Sequence, residues 1–139
     1  MTEVDFYLLQ AQQASDRTDF ACRLTDKAFR RGHQIYLHTQ DKAAADALNQ
    51  LLWSFRPGSF LPHGLLGEDH SDSIAIGWGE DPGEQQDLMI NLDLCVPAFV
   101  GRFKRVIEVV VQEPAIRDPL RESWKHYKHY GYPITQHNL

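Results

Sequence analysis

Residues 4–38 read VDFYLLQAQQASDRTDFACRLTDKAFRRGHQIYLH, and this stretch decides the fold. Residues 4–9 are a short aromatic and β-branched run followed by the polar QAQQASD, the pattern of a first strand running into a loop. From Ser15 or Thr18 onward, Phe20, Ala21, Leu24, Ala28 and Phe29 recur at helical spacing, so a helix follows. Lys27, Arg30 and Arg31 fall in its last turn, and Gly32 supplies the C-cap. Residues 34–38 (QIYLH) then form a second strand. A strand, helix and strand of these lengths make a parallel pair joined by a crossover, and such crossovers are right-handed.

The same alternation continues outward. Thr39, Gln40 and Asp41 lead into KAAADALNQLLWSF, a helix that must end before Pro57. Residues 74–78 (IAIGW) and 88–92 (LMINL) are short apolar runs of buried-strand type, separated by the turn-rich GEDPGEQQD. Residues 103–111 (FKRVIEVVV) are β-branched enough for another strand, and the preceding VPAFVGR suits a helical turn. Pro114 opens a last helix that runs through Tyr130 to a Gly131 cap. The expected architecture is a Rossmann-like three-layer α/β fold, with a mostly parallel central sheet between helices and a single domain over residues 1–139. Residues 56–73 are the one long irregular stretch, and long loops in compact domains often carry function.

Composition narrows the function classes. With 42% apolar and 24% charged residues, the chain has enough apolar surface to offset its ordering entropy. A net charge of -5 opposes broad, sequence-independent contact with nucleic acid, which draws its affinity from many Lys and Arg on phosphates. No apolar run approaches the roughly 20 residues needed to cross a bilayer, and the N-terminus lacks the basic and cleavage features of a secretory signal. A cytoplasmic protein is expected. Cys22 and Cys95 form no ligand pair and are expected as buried free thiols in a reducing compartment.

The sheet invites a nucleotide, but the turn after the first strand reads LQAQQASD without a glycine. Neither GxGxxG nor GxxxxGK[ST] occurs in the chain. A small nucleotide-dependent α/β enzyme is the alternative reading and rests on fold outline alone. His126 and His129 are the only histidines at helical spacing, with no HExxH pattern and no nearby Cys, so a solvated face is expected and no metal. Glu80, Asp81, Glu84 and Asp87 lack the ordered spacing of a calcium loop. There is no GxSxG nucleophile elbow. No catalytic residue and no cofactor is expected.

Two constellations remain. On the last helix Arg117, Arg121, Lys125 and Lys128 fall within about 80° of one another. Beside them runs an apolar stripe of Ile116, Leu120, Trp124 and Tyr127 that should face the sheet, with Trp124 at the boundary. This is either an ordinary amphipathic helix or a basic ledge for a short acidic peptide with a terminal apolar anchor. The second constellation is Trp53, Phe55, Phe60, Leu61, Pro62 and His63, either a satellite core or an apolar patch for a partner.

Taken together, FYLL near the N-terminus, LLWSFRPGSFLPHGLLGE over 51–68, DLMINL from Asp87 and RESWKHYKHYGY over 121–132 resemble the chi subunit of bacterial DNA polymerase III across nearly the whole chain. The most specific features are the Trp, Arg-Pro, Ser-Phe and Pro-His order of the central loop and the R-E-x-[WY]-K-x-Y core of the last helix. The resemblance implies a non-catalytic replisome adaptor. It would bind the psi subunit of the clamp loader one to one and capture the acidic, Phe-ended tail of single-stranded-DNA-binding protein, in the cytoplasm at the nucleoid-associated replisome. Carried over, Arg117 and Arg121 would meet the tail's acidic residues and terminal carboxylate with Lys125 nearby, and Val110 and Trp124 would wall the Phe pocket. Trp124 stands where the family commonly has Tyr, and Arg117 where Lys is usual. Trp53, Phe60, Pro62 and His63 would match the psi-facing side, which the resemblance also offers to a repair helicase.

Overall fold

In the computed structural model, residues 1–58, 60–67 and 73–139 are described. The elements run β1 (Glu3–Leu8), α1 (Ala14–Arg30), β2 (Ile35–His38), α2 (Lys42–Ser54), β3 (His63–Leu65), β4 (Ile74–Gly77), β5 (Leu88–Asn91), a 3-10 turn (Val100–Arg102), β6 (Arg105–Val110), α3 (Pro114–His129) and β7 (Ile134–Asn138). The strands form one sheet in the order β3-β4-β2-β5-β6-β1-β7, and every neighbouring pair is parallel. This is the Rossmann-like arrangement of helices on both faces of a parallel sheet.

Local chemistry sets the helix boundaries. Asp41 caps α2 by accepting the Ala44 N–H at 2.8 Å, and Asp16 closes back onto the Gln13 N–H at the start of α1. Pro114 sits in the first turn of α3, where its missing N–H costs nothing. Gly32 takes a positive φ of 88°, as a residue just past a helix end often must. At the end of β4, the Tyr36 hydroxyl lies 2.6 Å from where a Cβ on Gly77 would stand, so this strand position has room for no side chain.

Strand alternation sorts side chains onto two faces. Ile35, Leu37, Leu88, Ile90, Ile107 and Val109 face α1 and α2. Val4, Phe6, Met89, Val106 and Val110 face α3 and the 3-10 turn, where Phe99 and Phe103 pack on Tyr36. The register aligns Gly77, His38, Asn91, Glu108, Phe6 and Gln136 in one row across the sheet. A polar row therefore lies buried near the carboxyl ends of the central strands.

The structure adds two strands to those expected. β3 is three residues long, contains Gly64 and lies within the stretch expected to be irregular, of which Ser59 and residues 68–72 are outside the described residues. β7 (ITQHN) has no apolar alternation because it is an edge strand, exposed along most of its length. Of the two thiols expected to be buried, Cys22 is buried but Cys95 is exposed, because it lies in the loop after β5 rather than in a strand. Burial pushes the Cys22 thiol up to about 12, away from the reactive thiolate. A thiol reagent at neutral pH should therefore label Cys95 in the native protein and reach Cys22 only after denaturation. Mass spectrometry of the two cysteine peptides checks this, and native labelling of Cys22 would contradict it.

Candidate functional site

A groove of about 750 Å³ opens between α3 and the edge of the sheet formed by β6, β1 and β7. Its floor is apolar: Phe6 and Leu8 of β1, Val110 of β6 and Leu120 of α3. Parallel pairing of Leu8 with Val110 puts these two side by side. Trp124 forms one wall, and the Lys128 ammonium sits 4.9 Å from its ring, holding the indole by cation–π attraction. Arg117, Arg121 and Lys125, one helical turn apart, stand along the rim. All five residues carried over for the acidic tail thus line one cavity. As expected, Ile116, Leu120 and Tyr127 are buried and Trp124 is half-buried at the boundary.

The rim cations are only loosely engaged. Asp118 lies 3.3 Å from Arg117 Nε and 3.7 Å from Arg121 Nη1, and Glu122 lies 3.3 Å from Lys125 Nζ. Exposed pairs of this kind contribute about 0–1 kcal/mol each, so an incoming carboxylate can replace them at little cost. Three cations face two carboxylates, which leaves surplus positive charge beside an apolar floor.

The second constellation divides. Leu61 and His63 point inward and are buried. The His63 ring nitrogens lie 2.7 Å from the Leu61 carbonyl oxygen and 3.1 Å from that of Asn49, which ties the start of β3 to α2. Trp53 is 58% exposed, Phe60 is 87% exposed, and Pro62 is exposed beside them. His63 packs under Trp53 at 4.4 Å between ring centroids, so it supports this patch from within rather than forming its surface.

Sequence reasoning missed a buried polar cluster behind the groove. Glu108 is fully buried on β6, and its Oε2 accepts from Tyr127 of α3 at 2.7 Å and from Asn91 of β5 at 2.9 Å, while Oε1 has no partner among the described residues. Burial above all pushes its carboxyl up to about 7, against the opposing pull of those two hydrogen bonds and of Arg17. Arg17 of α1 donates to the carbonyls of Val109 at 2.8 Å, Leu92 at 3.0 Å and Asp93 at 3.1 Å. A lone Glu inside VIEVV was the one local sign of this cluster. Among the described residues, no three His, Cys, Asp or Glu side chains gather as metal ligands, and no helix is long and apolar enough to cross a membrane.

The family model described as DNA polymerase III chi subunit, HolC, matches residues 1–135. The chain belongs to the chi subunit family. The DNA polymerase III subunit chi of Pseudomonas aeruginosa is 48% identical over 139 residues, covering 100% of this chain and 98% of that one. Its counterpart in Haemophilus influenzae is 28% identical, covering 96% of this chain and 95% of that one. The Escherichia coli counterpart is 26% identical and covers 97% of each. Among solved structures, T4 UvsW matches with a TM-score of 0.70 at 5% identity, covering 99% of this chain and 41% of that one, a likeness of fold alone. A chi-family chain is an accessory subunit of DNA polymerase III and a replication protein, with protein partners in that holoenzyme.

Proposed function

We propose that this chi-family chain is a non-catalytic adaptor with two protein-binding surfaces on one domain. The α3 groove takes the acidic, Phe-ended tail of single-stranded-DNA-binding protein, and the outward aromatics Trp53 and Phe60 with Pro62, backed by His63, meet the psi subunit. The observation that carries this reading is the α3 groove itself. Val110, Arg117, Arg121, Trp124 and Lys125 come from two elements yet share one cavity, apolar below and basic above. A terminal aromatic ring fits the floor, and carboxylates pair with the rim. Each such contact is weak and salt-sensitive, so capture of many identical tails works through effective concentration. The alternative of a nucleotide enzyme meets a physical obstacle. In parallel α/β sheets a nucleotide sits beyond the strand carboxyl ends with its phosphates on a glycine-rich turn; here the turn after β1 has no glycine, and at the ends of β5 and β6 the Arg17 guanidinium is bound to the carbonyls of Leu92, Asp93 and Val109.

The test is a short peptide of Asp residues ending in Phe, titrated by fluorescence anisotropy at low and moderate salt. Arg121→Ala should weaken binding about tenfold, the loss of one charge-assisted contact, and higher salt should weaken the wild type as well. Equal affinity of wild type and Arg121→Ala would remove the assignment.

A further inference from the structure

The α3 groove has a counterpart on the opposite face of the same three strands. Seven strands are covered by two helices on one face and one on the other, so the β1–β7 edge overhangs on both sides. The second groove, about 460 Å³, lies between the C-terminal end of α1 and the starts of β1 and β6. Its floor is Leu24, Ala28, Leu88 and Ile107. Its acids are Glu3 and Asp5, which share Arg105, and Asp87; ring nitrogens of His137 and His33 lie 3.1 Å from Asp5 and Asp87. Lys27, Arg31 and Lys104 line the groove with no carboxylate partner among the described residues.

Between the two grooves lies the outer edge of β7. Among the described residues this strand pairs only with β1; its five residues span about 16 Å, with backbone N–H and C=O groups along the far side unpaired by any described strand. Such an edge can hold an extended peptide by backbone hydrogen bonds. Gln136 of β7 lines the first groove and His137, the next residue, lines the second. A chain lying on β7 therefore presents alternate side chains to both.

We propose that the acidic partner seated in the α3 groove continues along the β7 edge, and that its upstream acidic segment docks in the α1-side groove on Lys27, Arg31 and Lys104. This rests on the reading of the α3 groove as an acidic-tail site. Charge selects the occupant: Lys27, Arg31, Lys104 and Arg105 outnumber Glu3, Asp5 and Asp87 over an apolar floor, and such a surplus on a protein of net charge -5 calls for carboxylates spaced by an apolar side chain.

The experiment compares two labelled peptides that share the same acidic, Phe-terminated end. One has about six residues and the other about fourteen, the added segment being acidic with a single Leu, long enough to pass β7 at about 3.3 Å per residue. The long peptide should bind wild type several-fold tighter than the short one. The triple variant Lys27→Gln, Arg31→Gln, Lys104→Gln should abolish that gain and leave the short peptide unchanged. These side chains are exposed, and a melting curve confirms that the variant is folded. Equal affinity of the two peptides for wild type, or a gain that survives in the variant, overturns the proposal. If the short peptide fails to bind while the long one binds through the three cations, the second groove stands and the α3 reading falls; if neither binds, both fall. An oligothymidine of similar charge that binds through the same three cations overturns the choice of a peptide.

Discussion

Replacing Arg17 with Met should destabilise the protein by about 3–5 kcal/mol in urea unfolding, more than any surface change proposed for it. The side chain is 6% exposed, and its guanidinium fork joins the ends of two strands by donating to Val109, Leu92 and Asp93 carbonyl oxygens. Met fills much of the volume but donates nothing. Each carbonyl left buried without a partner costs about 1–3 kcal/mol, and Glu108 loses the positive charge that offsets part of its burial. Arg17→Lys should fall between the two, because an ammonium is a point donor without the planar fork. A loss below about 1 kcal/mol for Arg17→Met would show that water replaces the guanidinium on these carbonyls.

The second large effect is a pH dependence carried by Glu108. Its carboxyl ionises near 4.5 in an ordinary setting and near 7 when folded, chiefly because burial disfavours the charge. The folded protein therefore binds the proton more tightly than the unfolded chain does. The stability this group contributes is fully present below pH 4.5, where both states are protonated. It is lost as pH rises to about 7, because the unfolded chain ionises first. The gap corresponds to about 3 kcal/mol. Glu108→Gln keeps an acceptor for Tyr127 and Asn91 and removes the titration. The variant should be more stable than wild type at pH 8 by about 2–3 kcal/mol, with the advantage shrinking toward pH 4.5. Parallel stability curves for the two proteins between pH 4.5 and 8 would contradict the assignment.

What the residues disclosed in advance follows from which interactions are local. β1, α1, β2, α2, β4, β5, β6 and α3 each carry their own period, caps or β-branched run, and their ends fell within a few residues of expectation. β3 and β7 carry no such signal: HGL and ITQHN are strands because β4 and β1 offer them an edge. The cationic ledge was legible because helical spacing alone brings Arg117, Arg121 and Lys125 together. Of its floor, Val110 and Leu120 were named in advance but Phe6 and Leu8 were not, since those two reach it only through the parallel register of β1 with β6. Arg17 and Glu108 lie on different elements far apart in the chain, and only the sheet order joins them. The inward turn of His63 depends on carbonyls of Leu61 and Asn49, which no local pattern advertises.

The place of β1 has a consequence for how the molecule is made. β1 is made before the other six strands of the sheet, yet both of its neighbours, β6 and β7, are made after all the rest. On the ribosome its apolar Val4, Phe6 and Leu8 have no strand to pair with until β6 emerges, and the sheet edge is not complete until β7 follows. Loop closure of that span is entropically slow. Until then β1 is an exposed, aggregation-prone strand, so the grooves on either face of it form only once β6, α3 and β7 have been made.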